Sequence, residues 1–125
     1  MQKASAWILL AMSDLEAAII LRNAEKTTQS AYCSQQAAEK ALKGFLASHK
    51  VPIRKIHDLA LLVVECADFD LSFLGLENDA EELKPFSTRS RYPDDYIDLT
   101  LEEVDLLISC ATRIVHFVAS KIQTK

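Results

Sequence analysis

Apolar residues recur along most of this chain at the three- and four-residue spacing of a helix that faces a core, and polar or proline-containing stretches divide the pattern into separate elements. Over residues 4 to about 24, Ile8, Ala11, Met12, Leu15, Ala18 and Ile19 form one stripe, with Asp14, Glu16 and Arg22 elsewhere on the wheel. Residues 29–49 hold good helix formers and no proline. Thr27 and Thr28 offer capping hydroxyls in front of them. Ala37, Ala38, Ala41, Leu42 and Phe45 make the apolar side of that second helix, while Gln36, Glu39, Lys40 and Lys43 gather in an arc of about 100° on the other side. Val51-Pro52 ends it, since proline disfavours helical geometry in the residue before it. His57 or Asp58 opens a third helix that runs to Ala67. The pattern predicts irregular chain over residues 68–76, a short acidic helix from Glu77 to about residue 88, and a break around Pro93.

The last helix carries the strongest start signal. Thr100 followed three residues later by Glu103 is a capping box in front of an apolar run. Val104, Leu107, Ile108, Ala111, Val115, Val118 and Ile122 form its main stripe, and Leu106, Cys110, Ile114 and Phe117 extend it to a second side. A helix so apolar is expected either at the centre of the bundle or shared with another subunit. Four long helices and one short one predict an all-α fold, an up-and-down four-helix bundle with an extra short helix, in one domain over residues 1–125.

Composition narrows this picture. Two glycines and three prolines among 125 residues are too few turn formers for an all-β sandwich. The formal net charge of -4 argues against a general nucleic-acid coat. That sum hides a division, because residues 1–60 hold eight Lys/Arg and five Asp/Glu, whereas residues 61–125 hold six and thirteen. Cys33, Cys66 and Cys110 are widely spaced within apolar stretches and read as reduced core residues of a cytoplasmic protein. The uninterrupted apolar run 6–12 is too short to span a bilayer and lacks a cleavage site, so no membrane partner is expected.

Candidate chemistry concentrates in two places. Arg89, Arg91, Tyr92 and Tyr96 combine guanidinium forks that can hold phosphate with rings that can stack on a base. The alternative is that Arg91 pairs with Asp94 or Asp95 and Tyr92 docks the loop. His57 at a helix start, with Lys40 and Lys43, is the second group, although a histidine beside Asp58 also suits a capping or packing role. Glu39 and Lys43 have the i,i+4 orientation of a stabilising surface pair, solvent-facing unless their arc lines a dimer groove. His49 and His116 read as structural or solvated. No metal site and no cofactor are expected, since the three histidines lie far apart and the carboxylates Glu77 to Glu82 suit a solvated helix face.

Three segments, Ser34-Gln35-Gln36-Ala37-Ala38-Glu39-Lys40-Ala41-Leu42-Lys43, His57-Asp58-Leu59 and Arg91-Tyr92-Pro93-Asp94, resemble in order and spacing the HEPN domain family. The resemblance implies a bundle like the C-terminal helical domain of nucleotidyltransferases, a homodimer, and action beside a separate minimal nucleotidyltransferase, often as a toxin–antitoxin pair. Active members resemble one another in an Arg-x4-6-His pair that cleaves RNA without metal. Here Tyr96, Ile97 and Asp98 stand at the corresponding distances from Arg91, and Asp94, Asp95 and Tyr96 at those from Arg89. The expectation is therefore a nucleotide- or RNA-binding module rather than an enzyme. The alternatives are a ribonuclease in which Arg91 works with Tyr96 or His57, and a purely structural helical dimer.

Overall fold

The computed structural model describes residues 4–87 and 98–122. Among them lie, in chain order, α1 (Ala4–Asn23), α2 (Thr27–Ser48), α3 (Leu59–Ala67), α4 (Glu77–Leu83) and α5 (Leu101–Ile122), with 3-10 segments at Leu71–Leu76 and Lys84–Phe86. No strand occurs among the described residues, so the all-helical expectation holds. Helix boundaries follow from local chemistry at several ends. Asp58 accepts hydrogen bonds from the amides of Ala60 and Leu61 and starts α3. The box at α5 is reciprocal: the Glu103 amide donates to Thr100 Oγ1 at 3.1 Å, and the Thr100 amide donates to Glu103 Oε1 at 2.9 Å.

Two ends differ from the expected pattern. α2 begins at Thr27 with Lys26 in the cap position, so Thr27 and Thr28 stand inside the first turn instead of capping it. Residues 71–76 form 3-10 turns rather than irregular chain, because the Asp70 carboxylate accepts from the Ser72 amide and hydroxyl and starts the segment. With so few glycines, the chain uses charged residues in left-handed geometry to leave its helices. Glu25 has φ 59° and Lys50 has φ 63°. Around them the Lys26 amide reaches Leu21 O at 2.8 Å and the Val51 amide reaches Leu46 O at 3.0 Å, the closing bond of a Schellman motif.

α2, rather than the more apolar α5, is the central element. It packs against α1, α5, α3 and α4, and from Ser34 to Leu46 only Gln36 and Lys40 escape full burial. Small residues allow this. A methyl group on Gly44 would sit 2.7 Å from Trp7 Cβ, so glycine there sets how closely α1 approaches α2. Leu42, Leu62, Val63, Phe73, Leu83, Ile114 and Val118 fill the space between the elements, and Phe73 packs tilted against Phe45 at 4.3 Å and meets Phe117 edge-on at 5.0 Å.

Ion pairs tie helix to helix around this core. Arg22 holds Asp105 with two bonds of 2.8 and 3.0 Å, Arg113 grips Asp79, and Lys121 reaches Asp70 at 2.9 Å. Taken whole, the 20 residues of α1 are long and apolar enough to cross a bilayer by length and composition, which the run 6–12 alone is not. In this fold α1 lies along α2 and α5. Its expected stripe is only partly inward: Ala11, Leu15 and Ala18 are buried, whereas Met12 and Ile19 are nearly half exposed.

Candidate functional site

Gln35, Glu39 and Lys43 recur at i, i+4 and i+8, so one stripe of α2 carries an amide, a carboxylate and an ammonium group in line. All three are buried, with Glu39 4% and Lys43 8% exposed. This corrects the reading of Glu39 and Lys43 as a solvent-facing pair. The pair forms, with Lys43 Nζ 2.9 Å from Glu39 Oε2, but residues 49–58 fold over it on their way to α3. A hinge that returns the chain across α2 covers a face that helical periodicity alone assigns to water. It leaves a cavity of only about 10 Å³ beside Lys43, lined by Leu46, Ile53, Arg54 and Ile56 among others.

His57 sits at the end of that hinge, one residue before the α3 cap, and its side chain is about half exposed. Its Nδ1 lies 3.0 and 3.2 Å from the two oxygens of Glu39. The carboxylate already accepts from Lys43 and, at 3.1 Å, from the Gln35 amide nitrogen. An ionised carboxylate only accepts, so His57 Nδ1 is the donor and Nε2 is the ring nitrogen left for solvent or a ligand. Gln35 also reaches the His57 carbonyl at 3.4 Å and accepts from Gln36 at 2.8 Å, which fixes the backbone that carries the imidazole. The result is a half-exposed imidazole whose tautomer and orientation are set by a buried anion, an arrangement suited to taking up a proton at Nε2 and, once protonated there, to donating to a phosphate oxygen.

Of the expected site residues, the structure brings His57 and Lys43 together through Glu39. Lys40 goes elsewhere. Its Nζ is 2.7 Å from Asp14 Oδ2, so it ties α2 to α1 and does not join the His57 cluster. Arg89, Arg91, Tyr92 and Tyr96 lie outside the described residues. Gln35 and Glu39 are the members that sequence reasoning missed as site residues. The i, i+4, i+8 run of polar side chains on an otherwise alanine-rich helix is the signal that could have found them.

The hinge supplies further basic groups. Arg54 pairs with Glu65 of α3, while Lys50 and Lys55 are exposed. His49 lies between Phe45 and Phe69, stacked on the latter at 4.3 Å, which gives it the structural role expected. Burial pushes the Cys66 thiol up to about 12 and the Cys110 thiol, also beside Asp79, up to about 11, so neither is a nucleophile near neutrality. Among the described residues no three His, Cys, Asp or Glu side chains are grouped to hold a metal ion.

Comparison with known proteins agrees with this architecture. The family model described as "HEPN domain" matches residues 4–122. The crystal structure of ST0689, an archaeal HEPN homologue, superposes with a TM-score of 0.78 at 30% identity, covering 98% of this chain and 100% of that one. The crystal structure of TT1696 from Thermus thermophilus superposes with a TM-score of 0.83 at 26% identity, covering 97% and 99%. No curated protein sequence matches.

Proposed function

The chain belongs to the HEPN domain family, and on that premise we propose that it is a nucleotide- or RNA-binding module that acts as a cytoplasmic homodimer and as the partner subunit of a minimal nucleotidyltransferase in a toxin–antitoxin-type pair. The observation that carries the binding part is the imidazole of His57, held on the buried Glu39 carboxylate with Nε2 turned away from it. Burying Glu39, Lys43 and Gln35 together costs desolvation that a purely structural helix would avoid with apolar side chains. What the network achieves is a fixed imidazole at the surface, on a hinge that also exposes Lys50 and Lys55. Arg89 and Arg91 supply phosphate forks, and Tyr92 and Tyr96 supply stacking rings, in the same reading. Lys40, in the same reading, contacts the ligand apart from the His57 cluster, from its place beside Asp14.

The same imidazole favours one second reading. With Nδ1 anchored and Nε2 free, His57 has the geometry of a general acid–base, and with Arg91 stabilising phosphate charge it would replace the missing histidine of the Arg-x4-6-His pattern in a metal-independent ribonuclease.

One titration separates these readings. Purified protein is titrated with ATP and with a short RNA by calorimetry, with chelator present and RNA integrity checked on the same samples, for wild type, Arg91→Ala and His57→Ala. Saturable binding that weakens at least tenfold in both variants, with the RNA intact, supports the binding module. Cleavage lost in His57→Ala supports the ribonuclease. Absence of any binding overturns both and leaves a structural dimer. Copurification with a minimal nucleotidyltransferase tests the partner separately.

A further inference from the structure

The outward face of α1 carries Leu9 (71% exposed), Ile20 (62%), Met12 and Ile19, four large apolar groups that the bundle does not cover. Flanked by Ser13 and Ile20, also exposed, one row along that face runs Ser5, Leu9, Met12, Glu16, Ile19 and Asn23, all exposed. They follow one another at steps of four, three, four, three and four. That alternation is the a/d seam of a helix that packs on another helix at a shallow angle. Glu16 is the one charged residue on the seam. The other charges of α1 are turned to its neighbours, Asp14 to Lys40 and Arg22 to Asp105.

We infer that this face pairs with the α1 face of a second copy, antiparallel, about a two-fold axis passing near residue 14. The inference gives a place to the homodimer of the reading above and rests on it. The sequence of steps reads the same from either end, so an antiparallel copy matches every seam position at once: Leu9 meets Ile19, Met12 meets Glu16, and Ser5 meets Asn23. Leu9 and Ile19 face each other at both ends of the seam, the two polar residues Ser5 and Asn23 close it, and each Glu16 lies against Met12 rather than against the other Glu16. A two-fold interface requires this self-complementarity.

A second observation agrees. Between the start of α1 and the end of α5 runs an apolar groove of about 250 Å³ lined by Ser5, Ile8, Leu9, Ala119 and Ile122. The antiparallel match sets Ile19 of the second copy opposite Leu9, at the mouth of this groove, and the two-fold axis repeats the contact at the other end. A helix of 20 residues gives a seam of roughly 30 Å. A stable complex buries roughly 800 Å² per partner, and the two grooves add to what the seam contributes.

The test is sedimentation equilibrium over 1–200 µM (about the range of a modest interface) on wild type, on Leu9→Gln/Ile20→Gln, and on Glu16→Leu. Both altered faces are exposed, so circular dichroism is expected to show unchanged helix content. A wild-type dimer that weakens at least a hundredfold in Leu9→Gln/Ile20→Gln and tightens in Glu16→Leu supports the placement. A dimer untouched by these changes but broken by Leu61→Gln/Val64→Gln, on the exposed apolar side of α3, overturns the placement and leaves the homodimer standing. A monomer throughout overturns both. A monomer that floats with phosphatidylcholine–phosphatidylglycerol vesicles, and loses this in Leu9→Gln/Ile20→Gln, overturns the dimer in favour of a lipid surface for α1.

Discussion

Removing the Glu39 carboxylate tests whether the polar stripe of α2 is a buried network or a surface pair. In Glu39→Ala the Lys43 ammonium, whose side chain is 10% exposed, loses its 2.9 Å partner, and His57 Nδ1 loses its acceptor. Breaking one side of a buried ion pair costs about 3–5 kcal/mol. Lys43 is slightly more exposed than Glu39, and its long side chain can turn the ammonium part-way to water, so the lower end, about 3 kcal/mol, is expected. Lys43→Met removes the cation but leaves Glu39 bonded to Gln35 and His57, and about 2 kcal/mol is expected. In Glu39→Ala/Lys43→Met both desolvated charges are gone, and a loss of about 2 kcal/mol or less is expected. The double change is thus smaller than the roughly 5 kcal/mol sum of the singles, a coupling that only groups in contact show. Urea unfolding followed at 222 nm, with a common slope, measures all three. On a domain worth about 5–15 kcal/mol in total, Glu39→Ala is readily seen. Additive losses, or a Glu39→Ala within about 0.5 kcal/mol of wild type, would refute the buried network and restore the solvent face.

Four further outcomes are expected. Gly44→Ala destabilises by about 1–3 kcal/mol in the same assay, because the new methyl meets Trp7 Cβ at 2.7 Å and α1 must move. Lys50→Gly stabilises by about 0.5–1 kcal/mol, since φ 63° is strained for lysine and free for glycine at the end of a helix. Asp70 is held down at about 2, below its ordinary 3.8, by hydrogen bonds from Ser72 and from Lys121. A depressed carboxylate stabilises the fold above its unfolded value and loses that contribution as pH falls through the folded one, so Asp70→Asn is expected to flatten the acid limb of stability between pH of about 4 and 2. Cys66 and Cys110, raised to about 12 and about 11, are expected to resist a disulfide reagent at pH 8 in the native protein and to react once it is unfolded in urea; fast native labelling of either, located by mass spectrometry, contradicts their burial.

Much of the fold was legible because its signals are local. The Thr100/Glu103 box and the Asp58 cap involve groups two or three residues apart, and both form as their sequence spacing implies. The 3-10 segment Leu71–Leu76 was missed because its start depends on the Asp70 and Ser72 side chains rather than on any periodicity. The site was less legible. His57 and Lys43 stand out as candidates in the sequence, and the wheel sets Lys40 beside Lys43, whereas in the fold Lys40 pairs with Asp14 of α1. Glu39, the group that organises the cluster, read as surface.

By itself the sequence determined the helices and their order, since hydrogen bonding and apolar spacing within a helix are settled by residues a few positions apart. Which helix is central was decided only by tertiary structure. α5 is the more apolar, yet α2 takes the middle because its alanines and Gly44 let the neighbouring helices approach closely. The site was decided in the same way. The left-handed Lys50 and the Asp58 cap send residues 49–58 back across α2, and that crossing buries Glu39 and brings His57 to it from 18 positions away. A helical wheel shows which residues share a face; what folds over that face depends on contacts distant in the chain.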